Sequence, residues 1–432
     1  MRIIGLVEAD FNKALSILFT RQLMWSAEKT GITPNQWGGR PNRSAPDCAS
    51  RKLLTLEYKR YMRQPVALFF SDLASCFDRM MVSLSSIVSL KKGMDRNVCE
   101  CRAKVMRQMK RHVRTGAGTS NTTYQQEEGE VPLEGEIQGK GDVMGLWALQ
   151  SDSILNVHEK TSPLVRLEHV TKETASIRNA DCYVYDADIY VAEEKPYCPD
   201  ENYYGILDEN EEFEDETEDP GDLGDDPIET AKHLQESAQN WTDLVGLTGG
   251  QMAFHKCFWQ IMTFKPASGS MLMRSSTSIN YDMKLRNRNG QASNIKLKPV
   301  NEPNKGLGFL LAPTGTQTPE YNSRLQQMRD IASKIKHSFL RRHEAYLAYI
   351  TRVIPSVTYP FALTSFTVAQ CKKLSATIEQ VILPKMGINR NFPKAALYGP
   401  HELGGMAFPT IETIQDQKCI THWLKHLRWG GR

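Results

Sequence analysis

The chain has 432 residues, of which 40% are hydrophobic and 24% are charged, a composition typical of a soluble globular protein with room for two or three domains. No run approaches the roughly 20 apolar residues that cross a bilayer, so we expect no membrane partner. The formal net charge of +3 excludes a uniformly basic protein, so a polyanion would have to be bound by a local concentration of positive charge.

The predicted elements begin with helices over 1–62, which a Gly- and Pro-rich loop interrupts at 32–48. A short apolar run at 66–70 follows Pro65 and predicts a buried strand that ends just before Asp72. Apolar spacing and the positions of glycine and proline predict the remaining elements. In chain order they are a basic helical stretch at 91–114, a helix at 139–152 that opens with glycines, a hairpin at 182–194 and a helix at 229–249. An aromatic strand at 256–265, short strands and turns at 276–320, and helices from 321 onward follow.

Charge is segregated along the chain. Residues 208–229 contain thirteen acidic residues and no Lys or Arg, which predicts a disordered loop at about 199–230. From 321 to the end there are 16 Lys and Arg against 6 Asp and Glu. Such basic segments are typical of contact with a polyanion, but they also occur as solvated surface. The acidic loop has two interpretations as well: a flexible surface loop, or a mimic of nucleic acid that occupies a basic cleft.

Nine cysteines are scattered along the chain, and their number is odd. This pattern favours a reduced intracellular location, in the cytoplasm or the nucleus, over a disulfide-bonded secreted protein. Cys99 and Cys101 are the only close pair in the sequence, and no second pair has the spacing of zinc ligands, so a structural zinc site is not expected.

The hairpin "CYVYDADIYVAEE" carries Asp186 and Asp188 at its middle. Asp is common in turns because its side chain bonds the nearby backbone, and this alone could explain both acids. Alternatively, they could converge with Asp72, which follows the strand at 66–70. Phosphoryl transfer by two metal ions uses carboxylates that hold two cations about 4 Å apart, and Mg²⁺ prefers such oxygen ligands.

Six short segments of the sequence are informative, both as motifs and in the order in which they occur. The segments are "NQWGGRPNRSAPDC" (35–48), "FFSDLASCFDRM" (69–80), "GEIQGKGDVMGLW" (135–147), "YVYDADI" (183–189), "LTGGQMAFHKCFW" (247–259) and "KGLGFLLAPTG" (305–315). In this order they resemble the fingers motif, palm motifs A, B and C, the later palm segment and the hairpin before the thumb of one family. That family is the reverse transcriptase (RNA-directed DNA polymerase) of non-LTR, LINE-type retrotransposons, and the resemblance covers nearly the whole chain.

The resemblance implies an α+β fold of the right-hand polymerase type, with fingers, a palm of antiparallel strands packed on helices, and a helical thumb. The implied regions are partial fingers at 1–65, a palm at 66–275 that includes the acidic loop, a strand and hairpin region at 276–320, and a basic helical thumb or connection at 321–432. The implied partners are an RNA template, a DNA primer and deoxynucleoside triphosphates, and no obligate protein partner is evident. Binding by the thumb should depend on salt and not on base sequence.

The resemblance also implies roles for individual residues. Asp72 and Asp186 would be catalytic ligands of two Mg²⁺ ions, for which Mn²⁺ can substitute, and Asp188 would assist them. Phe77, five residues after Asp72, would be the steric gate that rejects a 2′-hydroxyl. The other residues expected to bind the nucleotide are Arg40, Arg43, Lys52, Gln138, Gly139 and Lys256.

Each of these roles has a structural alternative. Asp72 could be a helix N-cap, and Phe77 could be an ordinary core aromatic. Gln138 and Gly139 could form a plain loop before a helix, and the basic residues could be solvent-facing. His255 and Cys257, on one face of the predicted strand at 256–265, are expected to fill space and not to bind a metal.

Several positions depart from the family pattern. If Tyr183 is the aromatic of the [FY]-x-D-D motif, Tyr185 takes the place of the first Asp, which is a metal ligand, and Asp186 takes the second. Tyrosine is neutral near pH 7, and alternation along a hairpin would point Asp186 away from the side on which position 185 points. Motif B carries Met144 instead of proline and Lys140 instead of a small polar residue.

Because the chain begins inside the fingers and ends after the thumb, we also expect a fragmentary, partly degenerate copy of such a polymerase. Two functions are then open besides the absence of any function. One is RNA-directed DNA synthesis, weakened by Tyr185. The other is a catalytically inactive remnant that still binds nucleic acid.

Overall fold

The computed structural model of this protein describes residues 7–110, 112, 114–115, 118–122, 135–136, 139–168, 175–184, 186–192, 227–267, 270–274 and 279–428. They form a mixed α+β structure with two compact units. The first unit comprises Met1–Cys48 and Thr55–Val300, and the second comprises Ala49–Leu54 and Asn301–Arg432.

The helices up to residue 300 agree only in part with the prediction, because the described residues of the basic stretch predicted as helical at 91–114 are α-helical, after Lys91, only over Arg96–Gln108, and Arg114 begins a strand. They are α1 (Ala9–Leu15), α2 (Met24–Thr30), α3 (Ala45–Tyr61), α4 (Val82–Lys91), α5 (Arg96–Gln108), α6 (Val143–Thr161) and α7 (Pro227–Leu247). A π-helical segment, Ser16–Leu23, joins α1 to α2. Helix α3 begins where Ser44 and Asp47 form a capping box, in which the Asp47 carboxylate accepts from the Ser44 backbone N–H at 2.8 Å.

The strands of the first unit are mostly short. They are β1 (Val66–Ser71), β2 (Arg114–Thr115), β3 (Gly118–Thr119), β4 (Val165–Glu168), β5 (Ala175–Arg178), β6 (Ala180–Tyr183), β7 (Asp186–Val191), β8 (Phe258–Met262), β9 (Phe264–Ala267), β10 (Ser270–Met273), β11 (Lys284–Arg286), β12 (Ala292–Asn294) and β13 (Lys296–Leu297). The strand predicted at 66–70 is confirmed as β1, and the helix predicted at 139–152 is α6, which begins four residues later.

The central sheet has five strands in the order β13-β8-β1-β7-β6. Strand β1 is antiparallel to both of its neighbours, β7 and β8, and only the short β13 runs parallel to β8. All six residues of β1 are buried because its apolar side chains contribute to cores on both faces of the sheet. On one face, Ala67 and Phe69 share a core with α6 and α7. On the other face, Leu68 and Phe70 pack with Tyr190 and other apolar residues.

This arrangement confirms the mixed α+β class and supplies an antiparallel sheet packed on helices. Most of the predicted acidic loop, residues 199–226, lies outside the described residues. The end of that prediction is wrong, because residues 227–230 form the first turn of α7.

The second unit begins with a hairpin and is otherwise helical. Its strands are β14 (Asn304–Gly306) and β15 (Phe309–Leu311). Its helices are α8 (Thr318–Lys336), α9 (Arg342–Ala348), α10 (Ile354–Thr358), α11 (Val368–Lys385), α12 (Lys394–Tyr398) and α13 (Ile411–Arg428), with a π-helical segment at Tyr349–Val353. The helices predicted from 321 onward are therefore present. A separate core holds them together, and within it the rings of Tyr349 and Phe408 stack at 4.5 Å.

Helices α6 and α7 meet at His158, which leads to a prediction about pH. The His158 ring is fully buried, with Nε2 3.1 Å from the Ser237 carbonyl oxygen. Burial lowers the pKa of His158 below its ordinary value near 6.5, because desolvation disfavours the charged ring. The unfolded chain then binds a proton at a higher pH than the folded one. The part of the free energy of unfolding that depends on a neutral His158 is therefore fully present above pH 6.5 and is lost as the pH falls below it.

We expect the urea midpoint to fall between pH 7.5 and pH 5.5 by less in His158→Gln than in the wild type. His255→Gln is the matched control, because His255 is exposed, and it should keep the wild-type dependence on pH. Equal dependence in wild type and His158→Gln would contradict the assignment.

Candidate functional site

The site predicted from motifs A and C lies at one end of the central sheet. In the pairing of β1 with β7, Phe70 is opposite Asp188 and Ser71 is opposite Ala187. Asp72 follows Ser71 directly, so continuing this register places it opposite Asp186. Residues opposite each other on antiparallel strands have Cβ atoms about 5 Å apart. The two predicted metal ligands therefore come from the residue just after β1 and from the first residue of β7.

Asp186 and Asp188 share a side of the sheet. Side chains alternate along a strand, so Asp186 and Asp188 point to one face of β7, whereas Ala187 between them is buried against the other. Asp186 is exposed, and Asp188 is half-buried. The charge of Asp186 also acts on Cys76, which lies within motif A. Burial raises the pKa of the Cys76 thiol well above its ordinary value, and the Asp186 carboxylate is among the smaller contributors.

The predicted bend of the hairpin is wrong in position. Asp186 does not lie in the turn but is the first residue of β7, paired with Tyr183 of β6. The turn includes Val184, whose φ of +60° is unusual for a β-branched residue. Tyr185, the residue in the place of the first motif C acid, lies outside the described residues. Trp147 of α6 donates its indole N–H to the Val184 carbonyl oxygen, so tertiary contact supports the turn.

The fingers motif also packs against this turn, through Gly38. A Cβ added at Gly38 would lie 2.3 Å from the Val184 backbone nitrogen, which is far inside contact distance. We expect Gly38→Ala to lower the free energy of unfolding by about 1–3 kcal/mol, because the turn would have to move. Chemical denaturation of the purified chain measures this change.

Gly246→Ala serves as the matched control. Gly246 lies on α7, and a Cβ there would have no heavy atom within 4 Å. This change should leave stability unchanged or raise it by up to about 1 kcal/mol, since alanine is the better helix former. A loss of stability in Gly246→Ala as large as that in Gly38→Ala would refute the contact argument.

Lys256, predicted to approach the nucleotide phosphates, lies next to Asp72. Its Nζ is 3.6 Å from Asp72 Oδ2, and the two side chains are 56% and 31% exposed. The backbone holds this geometry, since Ala253 donates its N–H to the Asp72 carbonyl oxygen at 2.8 Å. An ion pair this exposed stabilises a fold very little, so stability does not explain the placement of Lys256.

The predicted strand at 256–265 begins too early. Lys256 ends a turn, Cys257 follows it, and the strand β8 starts at Phe258, so His255 and Cys257 do not share a strand face. The Asp72 backbone N–H donates to the Cys257 sulfur at 3.4 Å. Burial raises the pKa of Cys257 to about 11, so it stays a neutral thiol that supports the Asp72 backbone.

The fingers cations have different surroundings. Arg40 is buried and donates to both carboxylate oxygens of Glu28 at 2.6 Å, and to two backbone carbonyls. Every nitrogen of its guanidinium group is thus occupied inside the protein, which is the geometry of a structural residue.

The other predicted nucleotide-binding residues of this group differ from Arg40. The guanidinium of Arg43 lies over the Trp37 ring at 4.8 Å. Lys52, on α3, is buried in the second unit, and Gln138 lies outside the described residues. Nucleotide binding by these residues stays a prediction.

Of the predicted nucleotide-binding residues, Phe77 is buried whereas Gly139 is exposed. Phe77 is 7% exposed and belongs to the core of the first unit. Its carbonyl oxygen accepts from the Glu136 backbone N–H at 2.7 Å, which joins motif A to motif B. Gly139 is exposed, with a φ of +106° that favours glycine. The role of Phe77 as a steric gate stays a prediction.

Sequence reasoning missed a buried ionic network behind motif B. Arg102 of α5 bonds Glu136 and donates to Asp142 at 2.7 Å, and Lys140 bonds Glu136 at 2.6 Å. All four side chains are at most 2% exposed. Two positive and two negative charges balance, and the lysine that departs from the family pattern is part of that balance. The spacing of Glu136 and Lys140, i and i+4, gave no signal, because that rule applies within a helix and both residues precede α6.

Comparison with known proteins adds no relative. No protein-family model matches the chain, and no curated protein sequence matches it. Within the part of the chain that the structure describes, no helix combines the length and apolar character needed to cross a membrane. The resemblance to reverse transcriptases therefore stays a prediction from the motifs.

Proposed function

We propose that this chain is an RNA-directed DNA polymerase of the retrotransposon type, in which Asp72 and Asp186 are the cation ligands. One observation supports the proposal: the β1–β7 pairing ends with Ser71 opposite Ala187, and the next residue on each side is one of these two acids, predicted from separate motifs. Turn chemistry does not explain Asp186, because it lies in the strand and not in the bend.

The residues present fit divalent cations. Carboxylate oxygens are the ligands that Mg²⁺ prefers, and Asp72 and Asp186 both reach solvent, from which ions and a triphosphate would enter. When bound, two Mg²⁺ or Mn²⁺ ions would neutralise the charge that develops on the transferred phosphoryl group. The ammonium group of Lys256, beside Asp72, is placed to hold a phosphate oxygen of the incoming nucleotide.

Tyr185 favours a second candidate function. The phenol is neutral near pH 7, so the site has one carboxylate fewer than the motif C pattern requires. A chain with this deficit could bind nucleic acid without extending a primer, using the excess of Lys and Arg after residue 321.

Primer extension on an RNA template separates the two candidates. Assays with Mg²⁺ or Mn²⁺ should compare the wild type with Tyr185→Asp and with Tyr185→Asn, which has the shape of aspartate but no charge. We expect Tyr185→Asp to extend at least about tenfold faster than the wild type, because a tenfold change needs only about 1.4 kcal/mol in the barrier. Tyr185→Asn should give no gain.

Two outcomes would decide against polymerase activity. If no form extends a primer but all bind an RNA–DNA hybrid with strong salt dependence, the inactive binding remnant is the function. If no form extends a primer or binds the hybrid, both candidates are wrong.

A further inference from the structure

A cavity of about 550 Å³ lies within the second unit. Three segments line it: the β14–β15 hairpin, one side of α8, and the stretch from the π-helical segment Tyr349–Val353 to Tyr359. The volume falls in the range of pockets that bind small molecules, about 300–1,000 Å³. π-helical segments also occur frequently at functional sites.

The lining of this cavity is basic. It includes Lys305, Arg324 and Arg352, and no Asp or Glu of the described part of the chain lines it. Ser323 and Gln327 add neutral polar groups. Because Arg324 is paired with Glu320, the positive charge that favours an anionic ligand comes from Lys305 and Arg352.

Arg324 forms a rigid part of the wall. Its guanidinium donates to the fully buried Glu320 at 2.5 Å, to the Gly308 carbonyl oxygen at 2.8 Å and to the Ser356 carbonyl oxygen at 3.1 Å. It thereby links the hairpin, α8 and α10. The cavity is thus formed before any ligand arrives, which reduces the entropic cost of binding.

Lys305 and Arg352 differ from Arg324. Both are exposed, and neither has an acidic partner within 4.0 Å among the residues that the structure describes. Their charges are therefore available to a ligand. Tyr359 closes one side, where its ring stacks on Phe309 at 4.7 Å and its hydroxyl donates to the Leu307 carbonyl oxygen at 2.9 Å.

We propose that this cavity binds a compact phosphate-bearing anion of about the size of a mononucleotide. Lys305 and Arg352 contact the phosphate, since arginine and lysine are the usual phosphate-binding side chains. The site uses no residue of the proposed polymerase centre, so it stands or falls independently of that function. The same phosphate chemistry occurs in a free nucleotide and in a nucleic acid strand, and the test distinguishes these sources.

Isothermal titration of the full chain with AMP tests the proposal, with inorganic phosphate and a short single-stranded oligonucleotide as further probes. We expect AMP to bind, and we expect Lys305→Gln and Arg352→Gln each to weaken it at least about tenfold, which corresponds to about 1.4 kcal/mol. Arg329→Gln is the control of equal charge change, because Arg329 is an exposed residue of α8 that does not line the cavity. It should leave AMP affinity unchanged.

Three results would overturn the proposal. The first is no AMP binding to the wild type at millimolar concentration. The second is an equal loss in Arg329→Gln, which would indicate a general charge effect. The third is that the oligonucleotide binds in a way that depends on Lys305 and Arg352 while AMP does not bind. This result would assign the surface to a nucleic acid strand. Unchanged circular dichroism of each variant separates loss of binding from loss of fold.

Discussion

Replacing Arg102 with leucine is expected to lower the free energy of unfolding by about 3–5 kcal/mol, the usual cost of removing one partner from a buried ion pair. Arg102 bonds both Glu136 and Asp142, and all three side chains are at most 2% exposed. Leucine fills part of the space but leaves two buried carboxylates with only Lys140 to balance them. Urea unfolding followed by tryptophan fluorescence measures the change.

The pKa of Glu136 gives the physical reason. Burial alone would raise this pKa, but the adjacent Arg102 and Lys140 hold it below its ordinary value near 4.5. The charged form is therefore favoured in the folded state, and its contribution to stability is present above pH 4.5 and is lost as the pH falls. Without Arg102 most of this compensation disappears.

Arg96→Leu is the matched control on the same helix. Arg96 pairs with Glu100 at 2.8 Å, but their side chains are 81% and 64% exposed. An exposed pair at i and i+4 contributes only about 0.3–0.5 kcal/mol. Similar losses in Arg96→Leu and Arg102→Leu would show that burial of the network does not matter.

Asp72→Asn is expected to reduce primer extension by about 100-fold or more, the scale of removing one group that stabilises charge at the reacting centre. The change keeps the shape of the side chain and removes the charge that would hold a cation. It is best measured in the Tyr185→Asp background, where the proposed function predicts the higher rate. The prediction depends on that function.

Asp78→Asn provides the comparison. Asp78 is an exposed acid six residues further along the same segment, and its substitution should leave the rate nearly unchanged. Stability should be almost the same in Asp72→Asn and the wild type, since the pair with Lys256 is partly exposed. A rate loss that follows a loss of stability, or that appears equally in Asp78→Asn, would place Asp72 outside the reaction.

Much of the local structure could be predicted from the sequence. The apolar run at 66–70 had to be a buried strand, because consecutive apolar residues need cover on both faces. The positions of Asp72 at its end, of α6 after the glycines and of the helices after 321 follow from the same local patterns. Local pattern also suggested that Asp186 lay in the bend, and this was wrong because Trp147 and Gly38, distant in sequence, pack against Val184.

The sequence by itself thus determined the strand before Asp72, the helix after the glycines and the helices after 321, since these depend on neighbours within a few residues. Only the tertiary structure decided that Asp72 and Asp186 come directly after the last pair between β1 and β7, that Lys256 lies beside Asp72 and that Arg40 is held by Glu28. The same holds for the network around Arg102 and for the basic cavity of the second unit. Each of these joins residues that are far apart in the chain, and their pairing depends on strand register and helix packing, which no local pattern encodes.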